Sequence, residues 1–543
     1  MDQDELITRL CQAGFYPHRP QEVEHIQTHI SHVFLAGELV YKLKKPLDLG
    51  FLDFSSLEKR RFYCHEEIRL NRRLAPDTYL RVEALIRDDD GSLRLAAAER
   101  DDRALDYCVV MKRLPRNRLL SALLAEGTAD VATMEAIAAR LVAFHERGEA
   151  DLSLSPEHEL EYIRKNLEEN FHQTRPFVDE LLSKRAYDTI QGFSLHRLQA
   201  QTDLFRKRVR SHRIKEGHGD LRSEHICLLP REIVIFDCIE FNERFRYLDV
   251  AAEVAFLAMD LDYLRHPDLA RRFAAAYAER ANDPDIFELL DFYKCYYAYT
   301  RGKIAGIRSR EEEGEPRRGA QEEAVRYFEL AFAYALRPKR PLLLIMSGLM
   351  GSGKSRLAAD LAFYLDAALL QSDVVRKEML GLDPSAARRE PFGQGIYDPE
   401  VTERMYDELM DRARSYLDEG RTVVLDASFS RSRYRLRASD LARRTGAGFA
   451  VLECSCPVEV LSQRLESRLE AQSGPSDGRP ELLEEQARRF EPVEELPAEE
   501  HIRIKTDQPY RYSLEHALER LQDIMARHGE KAFLSPKHNE GRP

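Results

Sequence analysis

Gly348-Leu349-Met350-Gly351-Ser352-Gly353-Lys354-Ser355 fits the pattern G-x-x-x-x-G-K-[ST] at every fixed position. Before it runs Leu342-Leu343-Leu344-Ile345-Met346, an apolar stretch with the length of a buried strand. After it, Arg356 to Leu365 has a helical pattern. Strand, loop and helix in that order are the context in which this motif holds a nucleoside triphosphate. The glycines let backbone N–H groups converge on phosphate oxygens, and the helix N-terminus adds partial positive charge. Lys354 then reaches the β- and γ-phosphates and Ser355 holds Mg²⁺. A chance glycine loop would lack the flanking strand and helix.

Downstream of the loop, strand-like and helix-like stretches alternate to about residue 528. That alternation predicts an α/β domain, a parallel sheet with helices on both faces. Ligands of such sheets sit beyond the carboxyl ends of the strands. Two acidic residues fall there: Asp373, after the strand ending at Gln371, and Asp426, closing Val423-Val424-Leu425. Phosphoryl transfer needs one carboxylate for Mg²⁺, here Asp426, and another for the acceptor hydroxyl. A helix cap is the other reading of each. Arg464 and Arg468 are four apart on one helix face, ahead of the loop Ser473-Gly474-Pro475-Ser476-Asp477-Gly478. Arginines beside a flap can neutralise developing charge and exclude water on closure. They can equally be a salt-bridged surface helix, since Glu466 and Glu470 are interleaved with them.

These motifs together resemble the small P-loop kinases of the gluconate-kinase, zeta-toxin and polynucleotide-kinase-like group, also described as AAA-family ATPases. The resemblance covers about residues 340–510. It implies that Asp373 and Arg376 face the acceptor and that Arg464 and Arg468 are lid arginines.

A second chemistry-bearing region lies upstream. His218-Gly219-Asp220-Leu221-Arg222-Ser223-Glu224-His225 precedes a predicted hairpin, and Asp237 and Glu240 follow it. One loop carboxylate can take a hydroxyl proton, here Asp220, while Asp237 ligates Mg²⁺. Lys42 and Lys44 alternate on one strand face, so either can reach the phosphates, with Glu67 on the next helix as ion-pair partner. Taken singly, Asp220 reads as a cap and the lysines as snorkelling surface residues.

Together these features resemble the aminoglycoside phosphotransferase family, with its protein-kinase-like α+β fold. The match runs over about residues 25–310 and includes the Val109–Pro115 hinge and the Leu141–His145 helix. Two departures stand out. No glycine-rich nucleotide loop is visible, and His225 occupies the position at which the family has a metal-binding asparagine. Imidazole is a poor ligand for Mg²⁺ beside oxygen donors, though Glu240 could compensate. The whole chain resembles two-part bacterial proteins that join such a domain to an ATP-binding one.

The expected division is therefore a kinase-like domain over 1–336, a proline-bounded linker over 337–341, a P-loop kinase domain over 342–530 and a disordered tail over 531–543. A chain of 543 residues is too long for one core. The net charge of −12 argues against nucleic-acid binding, and no apolar run reaches membrane-spanning length. Eight scattered cysteines and an acidic N-terminus point to a reduced, cytoplasmic protein. The predicted function is transfer of the γ-phosphoryl of ATP to hydroxyl-bearing small molecules at two sites, with Mg²⁺ as cofactor. Two alternatives stay open: a P-loop kinase with an inactive, regulatory kinase-like module, and an ATP-driven switch.

Overall fold

The computed structural model describes residues 3–50, 52–88, 91–98, 103–148, 154–383, 394–471 and 479–527. The chain forms two compact units: Met1–Leu182 with Ser194–Ala331, and Ser183–Phe193 with Phe332–Pro543. The cut at Ala331 and Phe332 falls inside the helix Gly314–Leu336 and thus upstream of residues 337–341. The tail 531–543 and the flap 473–478 lie outside the described residues.

The first unit has an α+β, kinase-like fold. Its sheet has six antiparallel strands: β1 (Val23–Gln27), β2 (Ser31–Ala36), β3 (Leu39–Lys44), β4 (Tyr79–Arg87), β5 (Leu93–Ala97) and β6 (Ala104–Lys112), in the order β1-β2-β3-β6-β4-β5. Period-two alternation divides β3 cleanly. Tyr41 and Leu43 join Phe34, Val110 and the N-terminal Leu6 and Leu10 in one apolar layer. Val40 packs on the opposite face with Cys64 and Ile68 of the helix Leu57–Asn71. Lys42 and Lys44 share that second face. Along the helix, Arg60, Cys64, Glu67, Ile68 and Asn71 are buried at spacings of three and four, so the stripe that packs on the sheet also carries Glu67 to the lysines.

The rest of the unit is mainly helical. The helix Val250–Tyr263 is buried from Val250 through Asp262, as its nearly all-apolar sequence requires. Short pairs complete the unit: β7 (Ile214–Glu216) needs a partner from further along the chain, whereas β8 (Ile226–Leu228) and β9 (Ile233–Ile235) form the expected hairpin. The partner of β7 is β10 (Tyr247–Asp249). The sequence predicted two helices over 248–309 and a solvated loop from Arg310 to Gly319. Instead there are three helices, Val250–Tyr263, Pro267–Arg280 and Ile286–Glu311, and Gly314–Leu336 follows almost at once. The charges that suggested a loop find partners, Arg310 in Glu180 and Arg318 in Glu315. Pro316 is tolerated in a first helical turn.

The second unit is the predicted α/β domain. Five parallel strands, β11 (Leu342–Ser347), β12 (Ala368–Gln371), β13 (Val423–Asp426), β14 (Gly448–Ser455) and β15 (His501–Lys505), run in the order β12-β13-β11-β14-β15. Every residue of β11 is buried, which is why its sequence is continuously apolar. Cys454 is buried in β14, but Cys456 lies past the strand end and is only partly covered, so the two do not share a core position as expected. Among the described residues no helix is long and apolar enough to cross a membrane.

Two candidate nucleotide sites

In the first unit, β3, the helix Leu57–Asn71 and the segment after β9 converge on one charge cluster. Lys42 Nζ lies 2.6 Å from Asp237 Oδ1 and 2.9 Å from Glu67 Oε1. Lys44 Nζ lies 2.6 Å from Glu67 Oε2 and also pairs with Glu240. The two lysines are not equivalent. Lys44 is fully enclosed, whereas Lys42 retains 13% of its side-chain exposure and lines the adjoining cleft. Glu67 stands behind both. The snorkelling reading is therefore wrong for both lysines, and Lys42 is the one that can meet a phosphate.

Burial disfavours the Lys42 ammonium, but Asp237, Glu67 and Glu240 outweigh it and hold its pKa well above the ordinary value. Burial likewise opposes ionisation of Asp237, yet Lys42 and His225 keep that carboxyl well below the usual range. Glu67, between two lysines, is also lowered against its burial, while Glu240, with Lys44 as its close partner, is raised by burial. The backbone at Asp237 is left-handed (φ 67°), a conformation that aspartate tolerates better than most residues. Its N–H donates to Tyr79 Oη at 3.1 Å.

The loop bearing Asp220 is held from beneath by a group that our reading of the sequence missed. Glu253 Oε1 accepts from the N–H of His218 (2.6 Å) and of Gly219 (2.8 Å), while Oε2 meets His145 Nε2 at 2.5 Å. A Cβ on Gly217 would stand 2.8 Å from that carboxylate, so the position requires glycine. The signal was available: Glu253 is the lone acid in the apolar run Val250 to Met259, and a charge there has to be buried. Burial raises the Glu253 pKa, but His145, His218 and the loop amides bring it down to about 2. Its stabilising contribution is thus present above the ordinary glutamate pKa and is lost as pH falls toward 2. Glu253→Gln should cost about 3 kcal/mol at neutral pH in urea unfolding, the scale of leaving buried donors to a charged acceptor poorly satisfied. The gap from wild type should narrow as pH falls from 4.5 toward 2.

Within that loop, Arg222 grips Asp220 through two contacts of 3.1 Å. Burial opposes the Asp220 charge, but Arg222, His225 and Arg301 hold its pKa well below the usual range. Asp260 Oδ2 accepts from Ser223 N at 2.8 Å and pins the far end of the loop. His225 Nδ1 meets the Asp220 carbonyl at 2.8 Å, and its Nε2 faces Asp237 Oδ2 at 3.7 Å. Asp220, His225, Asp237 and Lys42 all line a cleft of about 2370 Å³.

In the second unit the loop after β11 has the geometry its sequence predicts. Gly348 (φ 129°) lies so near Cys454 that a Cβ would sit 2.3 Å from the Cys454 carbonyl oxygen, and Gly353 (φ 84°) opens the helix Lys354–Tyr364. Lys354 Nζ donates to Leu349 O at 2.7 Å, so it is curled over its own loop, and Ser355 at the helix start is exposed. Leu349 and Met350 at the loop apex pack against Leu461, Leu465 and Leu483. The N–H of Met350 donates to Gln486 Oε1 at 2.8 Å. Asp426 is buried at the end of β13 and accepts from Gln371 Nε2 at 3.2 Å. Asp373 stands in the first turn of the helix Ser372–Met379.

Arg376 is not where the resemblance implied, whereas Arg464 reaches the phosphate loop, its Nη1 donating to Gly351 O at 3.5 Å. Arg376 is buried and donates to Ile396 O (3.0 Å) and Thr402 Oγ1 (3.1 Å), with Tyr397 under its guanidinium, so it anchors a neighbouring segment. Arg464 Nη2 donates to Thr506 O at 2.5 Å, beyond the last strand where the ladder no longer pairs that carbonyl. It lines a cavity of about 560 Å³ with Gly351, Gly353, Arg356 and Tyr510, on the flank of the loop. Arg468 lies on the same helix, Val458–Ala471, with its side chain outside the described residues.

Residues 343–493 match a family model described as an AAA domain. Over 456 residues the chain is 30% identical to the uncharacterized protein Rv2004c of Mycobacterium tuberculosis, covering 84% of this chain and 88% of that one. Among solved structures, aminoglycoside 2'-phosphotransferase-IIIa is 14% identical, with 61% of this chain and 99% of that chain covered and a TM-score of 0.39. A gluconokinase from Sinorhizobium meliloti is 20% identical over 36% of this chain and 98% of that chain, with a TM-score of 0.27.

Proposed function

This chain belongs to the same family as the mycobacterial protein Rv2004c, and we propose that it is a two-headed phosphotransferase, each unit transferring the γ-phosphoryl of ATP to a hydroxyl group of a small molecule. One observation carries the reading for the first unit. Lys42, Glu67 and Asp237 form one ion-paired chain, and Asp220 shares a single cleft with Lys42 and Asp237 although 178 positions, 220 − 42, separate it from Lys42.

In this scheme Lys42 takes the phosphates, and Glu67 keeps its ammonium extended toward the cleft. Asp220 orients the acceptor hydroxyl and takes its proton. Arg222 and Arg301 face the same carboxylate and offset charge that develops on the transferred group. In the second unit the loop amides and Lys354 hold the triphosphate. Ser355 and Asp426 offer oxygen donors alone, the set that Mg²⁺ accepts, and the ion when bound neutralises phosphate charge. Asp373 is assigned to the acceptor hydroxyl. Arg464, which reaches the Gly351 carbonyl, is assigned to the lid over the phosphates.

The test uses the full chain with γ-labelled ATP and a pooled extract of small metabolites. Two sets of labelled products are expected, one lost in Lys354→Ala and the other in Asp220→Asn. Products untouched by Asp220→Asn would leave the first unit as a binding module.

A further inference from the structure

The donors around Asp237 differ from those around Asp426 in one respect: one of them is nitrogen. His225 Nδ1 lies 2.8 Å from the Asp220 carbonyl, which can only accept, so Nδ1 carries the proton. In the neutral ring Nε2 is then the lone-pair position, and it faces two carboxylates, Asp237 at 3.7 Å and Glu224 at 3.8 Å. Arg222 Nη2, which can only donate, approaches it at 3.5 Å and agrees with that tautomer. The ring is fixed in place, 7% exposed, with Phe236 at its edge and His218 stacked beside it. A hydrogen-bonded Nδ1 presenting a bare Nε2 is how metal-binding histidines are usually oriented.

Asp237 is divided in a matching way. Its Oδ1 is taken by Lys42, and its Oδ2 faces Nε2 at 3.7 Å. Two donors that share an ion at bonds of about 2.1 Å stand about 3 Å apart at a right angle and about 4.2 Å apart when opposite. The observed gap lies between these limits. Among the described residues, no cluster of three or more His, Cys, Asp or Glu is placed to hold a metal. The remaining ligands must therefore come from the triphosphate and water.

We infer that the metal subsite of the first unit is a mixed nitrogen–oxygen site, His225 Nε2 with Asp237 Oδ2, that takes a first-row transition dication of the Mn²⁺ class in preference to Mg²⁺. Imidazole suits such ions, whereas Mg²⁺ favours an all-oxygen shell. The inference rests on the two-headed reading, and its test keeps the two apart.

The full chain with Lys354→Ala and Ser355→Ala removes the P-loop metal site. Mn²⁺ is added with a non-hydrolysable ATP analogue, and electron spin echo spectra are read for imidazole nitrogen modulation. Nitrogen modulation is expected in this background and needs no substitution in the first unit. Adding His225→Asn should abolish it while Mn²⁺ remains bound, and Mg²⁺ should then displace Mn²⁺ at a concentration lower by about tenfold, the lower end of what disturbing a ligand shell costs. Bound Mn²⁺ without nitrogen modulation would overturn the mixed site and leave the kinase reading standing. No nucleotide-dependent Mn²⁺ at all would overturn both.

Discussion

Lys354→Ala lowers ATP turnover at the second site by about 10²–10³-fold, the loss that follows removal of one preorganised charge-stabilising donor. The lysine sits over the phosphate loop with its Nζ on Leu349 O, so binding exchanges one oxygen partner for another with little movement. The measurement is steady-state ATP turnover in an Asp220→Asn background, which isolates the second site. Thermal melting of the variant should match that of its parent, since the amine's contacts are local. Undiminished turnover in a folded variant would remove Lys354 from the phosphate site.

Asp220→Asn should reduce transfer at the first site by about 10²–10⁴-fold, the usual share of a positioned general base. Nucleotide binding should stay within about twofold, because the carboxylate addresses the acceptor rather than ATP. Asparagine is the better substitution here, since its side-chain oxygen still accepts from Arg222, which keeps Glu224 as its other partner. The pH dependence has a definite sign. Despite burial, Arg222, His225 and Arg301 keep Asp220 ionised far below neutrality, so lowering pH from 8 to 5 should give no acid-side loss of rate through this group. An acid limb that vanishes in Asp220→Asn would contradict that environment. Isothermal titration with ATP gives the binding arm and single-turnover labelling gives the rate.

How much of this could be read in the sequence depends on how local each feature is. The phosphate loop was legible because strand, turn and helix are adjacent in the chain and glycine is demanded by contacts such as Gly348 against Cys454. The parallel sheet followed from the alternation of strand and helix patterns, and β11 through β15 fall within a few residues of their expected places. The choice between Lys42 and Lys44 could not be made, because alternation puts both on one face and only packing buries one of them. Arg464 was assigned from its helix face, but the guanidinium took an unpaired carbonyl at Thr506, information that helical spacing does not contain. Glu253 was missed because its partners, His145 and the His218 amide, lie 108 and 35 residues away.

If the first unit takes a metal–nucleotide pair as proposed, the contact between Lys42 and Asp237 would make its site a coincidence detector. A metal-free nucleotide would draw Lys42 from Asp237 and leave that carboxylate without its ammonium, whereas a bare cation on Oδ2 would leave Lys42 with Oδ1 and Glu67. An arriving pair that brings an anion for one and a cation for the other leaves no orphan charge. Metal and nucleotide must therefore raise each other's affinity by the same factor, a reciprocity that thermodynamics enforces. On that reading the pocket would discriminate against metal-free phosphates without any steric gate.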